Sequence, residues 1–194
     1  FNALPGLMER FSIGVVYVPP TMFDQPGIPL QALRERLESR RIPIRALMAG
    51  NRLAAGSGVD IEVWHPTRLD LTRSDNANSL VLAIEYAGVG MLLTADIESP
   101  GLEDLLAEHS RQWQIVTAPH HGGGLEQQEA FADWARPEWV IFSGADPSKV
   151  KPAEAAYLAR DVRSLHTARD GAVRVEIQPD GLTISHWQGT WKML

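Results

Sequence analysis

The sequence contains no cysteine, no long apolar run and no excess of positive charge. The absence of cysteine excludes disulfide frameworks, thiolate zinc sites and cysteine nucleophiles. No apolar run approaches the roughly 20 residues that a membrane-spanning helix needs. The 18 Lys and Arg residues against 24 Asp and Glu give a formal net charge of −6. This balance argues against nucleic-acid binding through the overall electrostatic field of the protein, although not against binding in a local basic groove.

Several well-known motifs are also missing. The sequence has no Walker loop, no dinucleotide-binding fingerprint and no serine-nucleophile elbow. Residues 1–5 lack a basic n-region and an initiator Met, so no signal peptide is predicted, and we expect the chain to be a piece of a longer protein. The 194 residues, 44% of them hydrophobic, suffice for a buried core. We therefore predict a single domain over 1–194.

Short apolar runs separated by turn residues predict strands and helices that alternate in the middle of the chain. Residues 79–86 and 90–94 are predicted to pair as a buried β-hairpin around Ala87 and Gly88. A second hairpin is predicted near the end of the chain. This order indicates an α/β sandwich with mixed sheets. Further predicted strands are 13–18, 44–48, 59–64, 113–118, 139–142, 164–167, 172–177 and 182–187, and the predicted helices are 30–37, 102–106, 126–134 and 152–160.

Asp96 follows the buried strand 90–94 almost directly. A carboxylate at such a strand end is costly unless it is paired, hydrogen-bonded or bound to a metal. The alternative is an N-cap for the helix that follows, which is common and needs no metal. Asp96 by itself favours the N-cap interpretation.

Two adjacent imidazoles, His120 and His121, follow the predicted strand 113–118, and three glycines come after them. Adjacent residues on an extended backbone point to opposite sides, so one imidazole can face a site while the other faces the core. The glycines would let a metal or substrate approach the backbone closely. The alternative is a simple turn with a surface histidine.

Asp96 and His120 together are more informative than either alone, because each closes a buried strand. If the two strands are neighbours in a sheet, their side chains converge at one edge. A carboxylate with imidazoles suits Zn²⁺, Mn²⁺ or Fe²⁺, and a carboxylate can bridge two metals. The other histidines are predicted to be structural, helix-end, packing or surface residues: His65, His109, His166 and His186.

Four segments of the chain resemble one known family in order and spacing. These segments are 75–82 (DNANSLVL), 92–98 (LLTADIE), 118–122 (APHHG) and the tail from Ser143 through Pro152 to Ala172. They resemble the metallo-β-lactamase fold and, within it, the soluble domain of ComEC-type DNA-internalisation competence proteins.

This resemblance implies a metallo-β-lactamase-like αββα four-layer sandwich and metal-dependent hydrolysis of DNA as a nuclease. It implies a divalent metal, Zn or Mn, with two ions in the intact domain, Asp96 as the bridging carboxylate and His120 as a ligand. It places Asn76 or Asn78 at the edge of the site. The implied substrate is single-stranded DNA, and the implied partner is the membrane channel portion of an inner-membrane parent protein. Substrate-binding residues are predicted to be Asn78, His121, Gly122 and Lys151.

The chain departs from the family pattern at several positions. The H-x-H-x-D-H metal motif is absent, so we expect the domain to be truncated at its N-terminus and the chain alone to bind metal weakly and lack activity. Ala95 stands where the family usually has Gly, Gly123 replaces Ser, and Lys151 replaces His but could contact phosphate. Two alternatives remain: a non-catalytic binding module of a DNA-uptake channel, or a hydrolase of the same fold acting on small esters or nucleotides.

Overall fold

The structure is a computed structural model that describes residues 3–24, 27–67 and 74–194. Its helices are α1 (Leu4–Arg10), α2 (Ile28–Ser39), α3 (Gly101–Leu106), α4 (Leu125–Ala135), α5 (Lys151–Leu158) and α6 (Thr167–Asp170). Its strands are β1 (Val16–Val18), β2 (Ile44–Ala46), β3 (Arg52–Ala54), β4 (Asp60–His65), β5 (Val81–Tyr86), β6 (Val89–Leu93), β7 (Ile115–Thr117), β8 (Trp139–Phe142), β9 (Arg163–His166), β10 (Val173–Gln178), β11 (Gly181–Trp187) and β12 (Trp191–Met193). Short 3₁₀ turns cover Asn76–Asn78, Pro119–Gly122 and Pro147–Val150.

A seven-stranded mixed sheet, in the order β3-β4-β5-β6-β7-β8-β9, forms the centre of the fold. Strands β3 to β6 pair antiparallel, and β6 to β9 pair parallel. The β5–β6 hairpin turns at Ala87 and Gly88, whose φ angles of 50° and 80° are the positive values that tight hairpin turns need. Helices α3, α4 and α5 connect the parallel strands. The carboxyl ends of β6, β7, β8 and β9 therefore lie at the same edge of the sheet.

Hydrophobic cores form on both faces of this sheet. On one face, α3, α4 and α5 bury the larger core, which includes Trp113, Phe131 and Tyr157. On the other face, the antiparallel sheet β10-β11-β12 packs through Ile184 against residues such as Ile141. The burial of all four residues of β8 reflects this cover on both sides.

The segments before the central sheet form a smaller unit. Strands β1 and β2 pair in parallel, with Val16 opposite Ile44. Helices α1 and α2 contribute Met8, Leu33 and Leu37 to a third, separate hydrophobic cluster. No helix in the described ranges is long and apolar enough to cross a membrane.

The predicted α/β class with mixed sheets is confirmed, and so are both hairpins and the strand 139–142. The four-layer sandwich, the truncation and the single-domain assignment stay predictions. The predicted strand 13–18 is shorter than expected, because only Val16–Val18 pairs with β2. Helix α1 was not predicted; it contains Pro5 and Gly6, and the only residue that it buries fully is Met8, so it has no helical apolar stripe.

Candidate site at the carboxyl edge of the parallel strands

Hydrogen bonds between two threonines join the ends of β6 and β7. The Thr94 backbone N–H donates to Thr117 Oγ1 at 2.9 Å, and the Thr94 hydroxyl donates to the Thr117 carbonyl oxygen, also at 2.9 Å. Thr94 is completely buried. The segments that follow these two strands, with Asp96 on one and His120 and His121 on the other, therefore leave the sheet side by side.

The backbone at these two strand ends adopts an unusual conformation. Ala95, His120 and His121 have φ angles of 51°, 46° and 57°, in the left-handed region that non-glycine residues rarely enter. The His120 N–H donates to the Ala95 carbonyl oxygen at 3.2 Å, so the strained residues contact one another. Such residues persist only where the surrounding structure holds them, and they cluster at functional sites.

A buried polar network holds the histidine turn in place. The fully buried Gln128 of α4 donates from Nε2 to the carbonyl oxygens of Pro119 (2.8 Å) and Gly123 (2.9 Å), one on each side of the two histidines. The Tyr157 hydroxyl of α5 donates to Gln128 Oε1 at 3.0 Å. Burial raises the pKa of Tyr157, so its hydroxyl remains a donor at any physiological pH.

Each imidazole of the turn contacts a carboxylate. His121 Nε2 lies 3.0 Å from Asp96 Oδ1, and His121 Nδ1 lies 2.7 Å from Ser143 Oγ at the end of β8. His120 Nδ1 lies 3.3 Å from Glu98 Oε2. About half of the Asp96 and His121 side chains is exposed to solvent, so this cluster is accessible to a ligand.

The two strands are neighbours in the sheet, as the expected convergence of Asp96 and His120 required, because β6 and β7 pair in parallel. Asp96 contacts His121, however, and His120 contacts Glu98. The alternation argument assumes an extended backbone, whereas both histidines lie in a left-handed turn. The catalytic and metal-binding roles of Asp96 and His120 stay predictions.

The predicted substrate-binding residues lie at different depths. Asn78 is buried in the 3₁₀ turn Asn76–Asn78, and its Nδ2 donates to the Ser74 carbonyl oxygen at 3.2 Å. Gly122 is buried behind the histidine turn, where a Cβ atom would lie 2.8 Å from the ring of Phe142. Lys151 begins α5 and is exposed, and it does not line either of the cavities beside the histidine and aspartate side chains.

Two open cavities flank the contact between Asp96 and His121. The first, of about 310 Å³, is lined by both histidines of the turn together with Ser143, Lys149 and His166. The second, of about 460 Å³, is lined by Asp96 and by polar and apolar residues that include Asn76 and Leu80.

Sequence reasoning missed four residues of this site: Glu98, Ser143, Lys149 and His166. The sequence did carry a signal for two of them, because Ser143 and His166 lie at the carboxyl ends of β8 and β9, which belong to the same parallel set as β6 and β7. His65 was predicted to be structural, and His186 to be a packing or surface residue. Both are buried, and they contact the carbonyl oxygens of Ser79 and Asp170.

The chemistry of the cluster suits a metal, but its arrangement is incomplete. Carboxylates and imidazoles are ligands that zinc and manganese accept. Within residues 3–24, 27–67 and 74–194, however, no group of three or more His, Asp or Glu side chains could hold a metal ion together. Because a catalytic zinc usually has three protein ligands, the described residues supply part of such a site at most.

The fold and the cluster define an α/β protein with a polar site at the carboxyl edge of its parallel strands. No family model matches the chain. The chain is similar to competence protein ComA of Neisseria gonorrhoeae, with 27% identity over 131 residues, which is 64% of this chain and 19% of that protein. The chain therefore spans about a fifth of the length of this curated relative. The similarity supports the link to competence proteins that the motifs indicated.

Proposed function

We propose that this chain belongs to a DNA-uptake protein and forms part of a metal-dependent phosphodiesterase site that cuts DNA. The observation that carries the proposal is the pair of imidazole–carboxylate contacts, His121 with Asp96 and His120 with Glu98, on strained turns at one edge of the sheet. The similarity to a protein named competence protein ComA supports the biological setting.

The proposed metal is zinc or manganese, with two ions in the complete site. Asp96 and one or both histidines of the turn would be ligands, and further ligands are needed because the described residues hold no complete group. A bound metal would polarise the phosphate and supply a hydroxide nucleophile at neutral pH. Ser143 orients the His121 ring by its contact with Nδ1, which places Nε2 toward Asp96.

The proposed substrate is single-stranded DNA, and the proposed partner is the membrane channel portion of a longer inner-membrane protein. The similar region is only 19% of the competence relative, which supports a longer parent protein. The net charge of −6 indicates that a DNA strand would be held by local groups at the site and not by the general field of the chain.

Metal analysis and a nuclease assay on the full-length protein test this proposal. We expect stoichiometric zinc or manganese and metal-dependent cleavage of end-labelled single-stranded DNA. Asp96→Asn and His121→Ala should each lower the rate by at least about 100-fold, the upper end of the effect of removing a residue that only supports a metal ligand. Glu126→Gln and His109→Ala remove an exposed carboxylate and an exposed imidazole elsewhere on the chain and should leave the rate unchanged. Full activity in the Asp96 and His121 variants would contradict the proposal.

A second candidate is a non-catalytic module that binds the DNA strand. The lack of a complete ligand group among the described residues favours it. In that case the purified full-length protein would contain no stoichiometric metal and would not cleave DNA, but it would still retain labelled single-stranded DNA. Bound metal together with cleavage would exclude this candidate.

A further inference from the structure

His166 is a buried imidazole whose two ring nitrogens have different surroundings. It ends β9, is 1% exposed, and its ring stacks on Phe142 with an interplanar angle of 11°. Its Nδ1 accepts a hydrogen bond from the Ala168 backbone N–H at 3.1 Å, which caps α6. Its Nε2 has no hydrogen-bond partner in the part of the chain that the structure describes.

The hydrogen bond at Nδ1 determines the chemistry of the other ring nitrogen. Because Nδ1 accepts from Ala168, the proton of the neutral ring is on Nε2. A metal ligand needs a lone pair, so Nε2 could bind a metal only if the cap of α6 were broken. In the observed arrangement, Nε2–H can donate a hydrogen bond to a ligand that carries an acceptor.

This donor borders the cavity beside the histidine turn. A Cβ atom on Gly144 would lie 3.8 Å from Nε2 and 3.9 Å from Cε1, and both His166 and Gly144 line the cavity of about 310 Å³. Lys149 lines the same cavity and adds a positive charge. Among the described residues that line the cavity there is one carboxylate, Asp146; its Oδ1 accepts from the backbone N–H and the hydroxyl of Ser148, and its charge partly offsets that of Lys149.

We propose that this cavity binds a phosphate group of a DNA strand, with His166 Nε2–H and Lys149 as its donors. A fixed donor beside a lysine matches anionic oxygen atoms, whereas a cation or an apolar group would leave Nε2–H unsatisfied. The cavity shares His120 and His121 with the site described above, so a strand bound here would pass the imidazole–carboxylate contacts. This inference rests on the proposed function for the identity of the ligand.

Two substitutions at His166 separate the cavity donor from the helix cap. Asn places an acceptor where Nδ1 lies and should keep the cap, but it removes the donor in the cavity. Gln reaches the position of Nε2 with an amide N–H but loses the cap. We therefore expect His166→Asn to fold normally and bind the ligand more weakly, and His166→Gln to bind the ligand as wild type does but with a lower melting temperature.

The binding experiment uses the 194-residue chain in EDTA with a fluorescein-labelled oligo(dT) that carries no terminal phosphate. We expect His166→Asn to weaken binding by about tenfold, the usual effect of losing a hydrogen bond to a charged group. His166→Gln should stay within about twofold of wild type. Lys149→Gln should weaken binding and should lower the slope of log K against log salt concentration by about one. The substitution Lys192→Gln, at an exposed lysine, should change neither.

Competition with inorganic phosphate distinguishes a strand site from a site for the free anion. If bound oligo(dT) is not displaced by millimolar inorganic phosphate, the result supports the proposal. If inorganic phosphate displaces it at the concentration at which phosphate itself binds the cavity, the ligand is the free anion and not a DNA strand. No binding by wild type, or equal binding by His166→Asn, would overturn the subsite. If the full-length His166→Asn protein cleaves DNA with an unchanged KM, the phosphate site at His166 is rejected and the nuclease proposal stands. If His166→Asn weakens strand binding but the full-length wild-type protein does not cleave DNA, the nuclease proposal is rejected and the phosphate site stands.

Discussion

Asp96 and His121 face each other across the ends of two neighbouring parallel strands, with 3.0 Å between Oδ1 and Nε2. Ser143, at the end of a third parallel strand, contacts the other nitrogen of the same imidazole. A carboxylate, an imidazole and a hydroxyl from three successive parallel strands thus form one hydrogen-bonded chain at the edge of the sheet. Its geometry depends on the turns that carry it, and those turns lead to the first three predictions.

Replacing Ala95 by Gly should stabilise the protein. Ala95 has a φ of 51°, where a Cβ atom costs about 1–2 kcal/mol, part of which the greater freedom of Gly in the unfolded chain offsets. We expect the free energy of unfolding in urea to rise by about 1 kcal/mol. Ala130→Gly, on an exposed helical position, is the matched control and should lower it by about the same amount. A lower stability of Ala95→Gly would show that the turn is not strained.

Removing the Gln128 amide should release the histidine turn. Gln128→Leu leaves the carbonyl oxygens of Pro119 and Gly123 without their donor, and it leaves the Tyr157 hydroxyl without its acceptor. We expect a loss on the order of 2–4 kcal/mol in the free energy of unfolding. Tyr157→Phe removes only one bond of the network and should cost about 1 kcal/mol. Equal and small losses in the two variants would mean that the network does not support the turn.

Two glycines with similar backbone angles should respond differently to Ala. Gly122 has a φ of 93°, and a Cβ there would lie 2.8 Å from the ring carbons of Phe142. Gly50 has a φ of 85°, and a Cβ there would meet no atom within 4 Å. Both variants carry the conformational cost, so Gly50→Ala should lose about 1 kcal/mol and Gly122→Ala about 1–3 kcal/mol more. Thermal unfolding would measure the difference, and equal losses would contradict the packing of Gly122 on Phe142.

Acid should destabilise the cluster around Arg169. Burial acts to raise the pKa of Glu154 and of Asp170, but hydrogen bonds outweigh it: Ser164 and Arg169 hold the pKa of Glu154 below its usual value, and Arg169 does the same for Asp170. A carboxyl whose pKa is lower in the folded state stabilises the fold above its unfolded pKa, and that stabilisation disappears as the pH falls through the folded pKa.

The free energy of unfolding should therefore fall as the pH drops below about 4.5, near the unfolded pKa values of Asp and Glu. Arg169→Met should lower stability at pH 7 and make the decline between about pH 5 and pH 3 shallower. Arg174→Met, which removes the partner of the more exposed Glu176, is the control and should leave the slope unchanged. A slope that Arg169→Met does not alter would show that these contacts do not lower the two pKa values.

Much of the fold could be predicted from local patterns. The strand 139–142 was predicted with its observed bounds, and the hairpin around Ala87 and Gly88 differs from the prediction by one or two residues at its ends. Burial on both faces makes such strands continuously apolar, and a tight turn has a recognisable sequence. Strands β3 and β12, with three residues each, were missed because most or all of their residues are exposed, so that no apolar run or alternation marks them.

The candidate site was only partly predictable. The sequence indicated Asp96 and the two histidines because they end buried strands. It did not indicate which histidine contacts Asp96, because the direction of a side chain in a left-handed turn differs from its direction on a strand. Lys149 lines the cavity whereas Lys151 does not, since the 3₁₀ turn before α5 orients the two lysines differently.

The amino-acid sequence by itself determined that this protein is an α/β protein whose buried strands end in a carboxylate and two imidazoles, because hydrophobic periodicity and strand ends are local properties of the chain. Only the tertiary structure decided that Asp96 meets His121, that Glu98 meets His120, and that His166 lines the cavity beside these histidines. These contacts depend on the parallel order of four strands and on a buried glutamine from a later helix, and such long-range pairings leave no signal in any one segment.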